Sequence, residues 1–256
     1  MKKDQLILAG ILFALGMAGV LSLLTMEIPL SPEQEAMLGA TMTPQQIRML
    51  TLLNPTLLLL VAVVVGVVLY RPVGLGVPVL EKLIRPGKAR DMEWKRMVFG
   101  AVAGGLIAGV FIVGVNRIFQ PLLSAEFPAL QQNVDTSLAA RFLYGGITEE
   151  LLMRFGLMTF LVWGVSKIVR SFSPFVYRTG ILLSALIFAA GHFPVVFNAV
   201  DEPSFLLLTY ILLGNAAGGV VFGWLYWKRG LESSMLAHMV THGVMVLATL
   251  LLPVHL

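Results

Sequence analysis

Residues 49–70 read MLTLLNPTLLLLVAVVVGVVLY, from Met49 to Tyr70, without one charged side chain. A helix rises about 1.5 Å per residue, so this run is long enough to cross about 30 Å of hydrocarbon. Runs of the same kind lie on both sides of it. They extend over about Leu6–Met26, Met97–Val115, Ser137–Val169, Tyr177–Val200, Ser204–Trp227 and Leu231–Leu252. The 256 residues are 57% hydrophobic and only 12% charged, with a mean hydropathy of +0.87, far from the balance of a water-soluble domain. The pattern predicts an all-α fold: one polytopic domain over residues 1–256, a bundle of about seven transmembrane helices. An eighth helix is left open at Pro72–Ile84, a semi-apolar stretch broken by Pro72, Gly74, Gly76 and Pro78. It also suits an interfacial or re-entrant segment, as does Ile118–Leu130 with Pro121 and Pro128. Leu6–Met26 follows Lys2 and Lys3 as a secretory signal would, but its apolar core is too long and no small-x-small site closes it. It is expected to be a retained anchor.

Charge then orients the bundle. Lys2 and Lys3, then Arg71, Lys82, Arg85, Lys88, Arg90, Lys95 and Arg96, then Lys167, Arg170, Arg178, Lys228 and Arg229 fall in segments on one side. The other side holds Arg48 and Arg117 beside Glu27, Glu33, Glu35, Glu126, Asp135, Asp201 and Glu202. Fourteen basic residues against two predict a multi-pass protein, in the plasma membrane, with a cytoplasmic N-terminus. Basic residues confined to short loops account for the pI near 9.5 and make nucleic acid an unsuitable partner. The chain has no cysteine, which excludes disulfides, thiolate metal sites and thiol nucleophiles. Gly100, Gly104, Gly105 and Gly109 in the third span and Gly214, Gly218, Gly219 and Gly223 in the sixth are read as close-packing positions without chemistry.

Ionisable residues inside spans cost at least about 2.5–3.5 kcal/mol each, so each needs a partner or a task. The fourth span holds Arg141, Glu149, Glu150 and Arg154, the fifth His192, and the seventh His238 and His242; His255 lies outside the spans. Glu150 and Arg154 stand in the acid-before-base order of an i,i+4 ion pair, which leaves Glu149, about 100° round the helix, to face something else. A purely structural set of pairs among Glu149, Glu150, Arg141 and Arg154 is the competing reading. His238 and His242 share a helical face, and Glu149, His192, His238 and His242 fall at similar depths, about 10–20 Å from the outer helix ends. A carboxylate can take a proton from water, and imidazoles can orient that water, donate to an oxyanion or bind a metal. Pro194, two residues past His192, frees the carbonyl near Ala190 and either kinks the fifth span or opens it beside this group.

The motifs resemble a known family. Glu149-Glu150-Leu-Leu-Met-Arg154 matches EExxxR, Phe188-Ala-Ala-Gly-His192 matches FxxxH, and Gly230-Leu-Glu-Ser-Ser-Met-Leu-Ala-His238 is similar to a glycine-to-histidine approach to a third motif. Their order on successive helices resembles the CPBP intramembrane proteases, the CAAX prenyl endopeptidase and bacteriocin-processing (Abi) group, over a core of about residues 137–252. The resemblance implies an intramembrane endopeptidase in which Glu149 activates water with help from His192, His238 and His242 stabilise the oxyanion, and Glu150 with Arg154 supports them. That family usually has asparagine where this chain has His242. Histidine can donate, accept, titrate or ligate, so either no cofactor or a divalent metal such as zinc on His192, His238 and His242 fits the sequence. The partners expected are the lipid bilayer and a peptide or protein substrate: a prenylated tail, a bacteriocin leader or a membrane protein. Two other functions fit the sequence. One is a non-catalytic immunity or interaction protein on the same fold. The other is a proton-coupled transporter, for which the first three spans offer little beyond Asn54 and Thr56 beside Pro55.

Overall fold

The computed structural model describes residues 2–26, 37–86, 93–133 and 136–252. Glu27, Glu33, Glu35, Lys88, Arg90, Asp135 and His255, whose placement the sequence reading used, lie outside the described residues. Among the described residues the secondary structure is helical, with no strand. Seven helices among the described residues are long and apolar enough to cross a membrane: Lys3–Thr25, Pro44–Leu69, Trp94–Leu123, Ala140–Val169, Pro174–Ala199, Phe205–Arg229 and Leu231–Leu251. The chain is an integral multi-pass membrane protein. On the second span Leu59, Val63 and Val67 are buried while Leu57, Leu58, Val61 and Val64 are exposed, so one apolar face packs inward and another is left for lipid.

Small residues set how closely the spans approach. A Cβ at Gly105 would stand 2.5 Å from the Ala237 carbonyl oxygen, which holds the third span against the seventh. A Cβ at Gly219 would stand 2.8 Å from the Ala185 Cβ, which holds the sixth against the fifth. Both positions belong to the glycine series that the sequence marks for packing.

Three sequence expectations are resolved. Pro72–Ile84 is not an eighth crossing: a tight turn leads into the short helix Pro78–Ile84, which is too short to span. Val73, Leu75 and Val77 are buried in the main core with Tyr70, Tyr177, Tyr226 and Leu231. Tyr177 donates to the Val73 carbonyl at 2.8 Å, Leu231 N–H donates to the Gly76 carbonyl at 3.1 Å, and Glu232 Oε1 accepts from the N–H groups of Val79 and Leu80 at 3.0 Å each. Glu81 accepts from Tyr70 and Arg71 at 2.8 and 2.9 Å. Gly230, at φ 97°, turns the chain between the sixth and seventh spans where a Cβ would meet Pro78.

The stretch Ile118–Leu130 is also not a separate interfacial segment from its start. The third span continues through Phe119 and a 3₁₀ turn, Gln120–Leu123, before the short helix Glu126–Asn133. Last, the fifth span is two helices, Pro174–Ala190 and Phe193–Ala199, with Gly191 and His192 at the break. Pro194 stands in the first turn of the second piece, where a missing N–H costs nothing.

Candidate active site

A cavity of about 510 Å³ lies among the fourth, fifth, sixth and seventh spans. Glu149, His192, His238 and His242 all line it, together with Arg141, Tyr144 and Asn215. Glu150 and Arg154 do not line it. They lie behind it, 0% and 1% exposed, paired at 3.3 Å.

The fourth span departs from α geometry where this division is made. Residues Ala140–Glu149 and Leu151–Met158 form wide π-type turns, with Glu150 at their junction. Such turns are rare and recur at functional sites. Adjacent residues point to different sides of a helix, and here one carboxylate faces the cavity and the other the core.

His238 links the two. Its Nδ1 donates to Glu150 Oε1 at 2.9 Å, and its Nε2 lies 3.9 Å from Glu149 Oε2. Ser234, one turn back on the same span, donates to Glu150 Oε2. The imidazole is stacked between the Phe222 ring, at 4.4 Å, and the His242 ring, at 4.8 Å. Two rings and a buried acceptor therefore fix His238 in orientation. Arg154 is held similarly: beyond its pair with Glu150, its guanidinium lies 4.8 Å from the Phe188 ring and 5.3 Å from the Phe222 ring, so cation–π contact replaces hydrogen bonds to this buried cation.

His192 occupies the break in the fifth span. Its Nδ1 donates to the Phe188 carbonyl at 2.9 Å, because a carbonyl can only accept. The neutral ring then keeps a lone pair on Nε2. His242 stands beside Gly145, where a Cβ would come within 2.6 Å of Nε2. Its Nδ1 is buried and has no hydrogen-bonding partner among the described residues. Buried polar groups are normally paired, so an unpaired nitrogen at a cavity suits a group that arrives with water or substrate.

The three imidazoles suit a zinc ion poorly as they stand. The rings of His238 and His242 meet face to face at 17°, and among the described residues no group of three or more histidine, aspartate or glutamate side chains converges on one point. A catalytic zinc needs three such ligands within about 2.0–2.2 Å.

Sequence reasoning missed part of this site. Arg141 was placed in the span but only as a partner for the glutamates; here it lines the cavity, with Nε donating to the Thr136 carbonyl at 3.1 Å. Tyr144 and Asn215 carried no signal, since neither falls within the three quoted motifs. Ser234 lay inside the quoted third motif without a role. Its position one turn before His238 was the available clue.

Residues 133–244 match a family model described as type II CAAX prenyl endopeptidase Rce1-like. The matched segment contains all three motifs and every residue of the cavity-lining quartet. Comparison with curated proteins and with solved structures finds no match.

Proposed function

From the match of residues 133–244 to the type II CAAX prenyl endopeptidase Rce1-like family model, a family of proteases, we propose an intramembrane endopeptidase in which Glu149 is the general base. The observation that carries this reading is the separation of the adjacent glutamates: Glu149 faces the cavity with three imidazoles, while Glu150 is sealed behind it against Arg154.

The chemistry follows from those positions. His192 Nε2 accepts a hydrogen bond from a water, and Glu149 takes that water's proton. The water oxygen bonds to the substrate carbonyl carbon, whose oxygen becomes an oxyanion. His242, through its unpaired Nδ1, donates to that oxyanion. His238, whose Nδ1 is given to Glu150, faces Glu149 through Nε2 and is the second group placed beside that oxyanion. The C–N bond then breaks as Glu149 returns its proton to the departing nitrogen, leaving a carboxylic acid and an amine, and the acid's proton passes to the amine to give a carboxylate and an ammonium. Glu150 and Arg154 touch no reacting atom; they position His238 and the wall behind it.

No step is routed through a metal. The domain is one membrane unit with its peptidase core at about residues 137–252. The orientation proposed is a cytoplasmic N-terminus in the plasma membrane, supported by the loop charges. The test is comparative proteomics of cells carrying the wild-type chain or Glu149→Gln. Peptide termini that depend on Glu149 are expected; identical terminal profiles would sink the peptidase reading.

A further inference from the structure

The cavity is not centred in the bundle. Its lining comes from the Thr25 end of the first span, with Leu23 and Met26; from the connection between the third and fourth spans, with Phe127, Gln131 and Thr136; and from the neighbouring ends of the fourth, fifth and sixth spans. Among the described residues, these ends carry Arg48 and Arg117 but none of the twelve other loop-borne basic residues. Gln131, on the rim, is exposed.

The opposite end is built differently. There the turn before Pro78 and the short helix Pro78–Ile84 are tucked into the bundle, with Val73 and Val77 at 1% and 0% exposure and Leu75 at 5%. Glu232, Leu231 and Tyr177 tie the insert to the seventh and fifth spans, and Arg85 pairs with Asp4 of the first at 2.8 Å. Between this insert and the cavity lie the Glu150–Arg154 pair and fully buried Leu151, Phe155 and Met158. A polypeptide reaching Glu149 from the basic end would have to displace all of these.

We propose that the site is served from the membrane face opposite the basic loops, the extracytoplasmic face, and that its substrates are apolar segments of exported or membrane-inserted proteins presented there. The apolar side chains of Leu130, Val195, Val196 and Ile211 along the cavity suit such a segment. This inference rests on the peptidase reading and on the loop-charge orientation.

The chain has no cysteine, so single cysteines report access directly. Gln131→Cys and Thr136→Cys sample the cavity, and Lys82→Cys the basic end. Intact cells are treated with a membrane-impermeant maleimide, before and after permeabilisation. The cavity cysteines are expected to label in intact cells and Lys82→Cys only after permeabilisation; two cavity positions guard against one variant failing to fold. Termini that depend on Glu149 are expected to map to extracytoplasmic segments. Labelling of Lys82→Cys but neither cavity cysteine in intact cells, or Glu149-dependent termini on cytosolic segments, would overturn the inference and leave the peptidase reading intact. Absence of any Glu149-dependent terminus would instead overturn the peptidase reading and, with it, the substrate class.

Discussion

Glu149 and Glu150 are the same residue type one position apart, yet their surroundings ask different things of them. Glu149 keeps access to the cavity, with its side chain 20% exposed. Glu150 accepts from His238 and Ser234 and faces Arg154 with no exposure at all. Glu149→Gln preserves shape and removes the base, so kcat should fall by about 10²–10⁴-fold with little change in thermal unfolding of the purified protein. Glu150→Gln leaves the buried Arg154 charge uncompensated, at a cost of about 3–5 kcal/mol. Yield of folded protein and unfolding temperature should drop together in that variant. Normal turnover in Glu149→Gln would remove Glu149 from the mechanism.

His242 offers a sharper division, because it stands where the resembled family has asparagine. As a donor it can be replaced by an amide: His242→Asn should keep activity within about tenfold of wild type, while His242→Ala should lose about 10²–10³-fold, the cost of one oxyanion donor. Wild-type turnover should survive chelation. Stoichiometric zinc in the purified protein, with activity lost on its removal and in His242→Asn alike, would assign His242 to a metal instead.

The split between the two glutamates was legible in the sequence, because the i,i+4 spacing of Glu150 and Arg154 is local and leaves Glu149 over. The bond from His238 to Glu150 was not. It joins residues 88 positions apart, and helical periodicity says which face a residue occupies but not which neighbouring helix that face meets. The cavity roles of Tyr144 and Asn215 were hidden for the same reason.

At the scale of single elements, the fourth and fifth spans carry the site through departures from regular helix. Pro194 signalled a break in the fifth span, and the structure puts His192 at that break, where its Nδ1 turns back to Phe188. The wide turns of the fourth span had no comparable signal, since no proline marks them. Gly145 in that span is the residue that makes room for His242. Gly145→Ala would place a Cβ 2.6 Å from His242 Nε2, so the imidazole must move, and kcat should fall by more than tenfold (about 1.4 kcal/mol) with the fold retained. Asparagine is shorter than histidine. Adding His242→Asn should therefore recover part of the loss, and a double-mutant cycle with strictly additive effects would show that the two positions do not communicate through this contact.

For the whole molecule, the seven crossings and the charge asymmetry were the most readable features, because hydrophobic length and loop charge are properties of contiguous sequence. Pro72–Ile84 was not readable, because what holds it lies about 150 positions away in Glu232, whose Oε1 accepts from Val79 and Leu80. If that insert closes the basic end of the bundle, its anchor should control access there. Glu232→Ala strands two backbone N–H groups, each a penalty of about 1–3 kcal/mol, which together raise the open fraction of the insert by at least about tenfold. Glu232→Gln keeps a carbonyl oxygen for both donors and should stay close to wild type. Leu75→Cys, at a position 5% exposed, reports the outcome by its rate of maleimide labelling in permeabilised membranes. Labelling should be slow in the parent and with Glu232→Gln, and at least tenfold faster with Glu232→Ala. Equal protection in all three would mean that the buried side chains of Val73, Leu75 and Val77 hold the insert without Glu232, and the anchor would have to be sought in the apolar contacts instead.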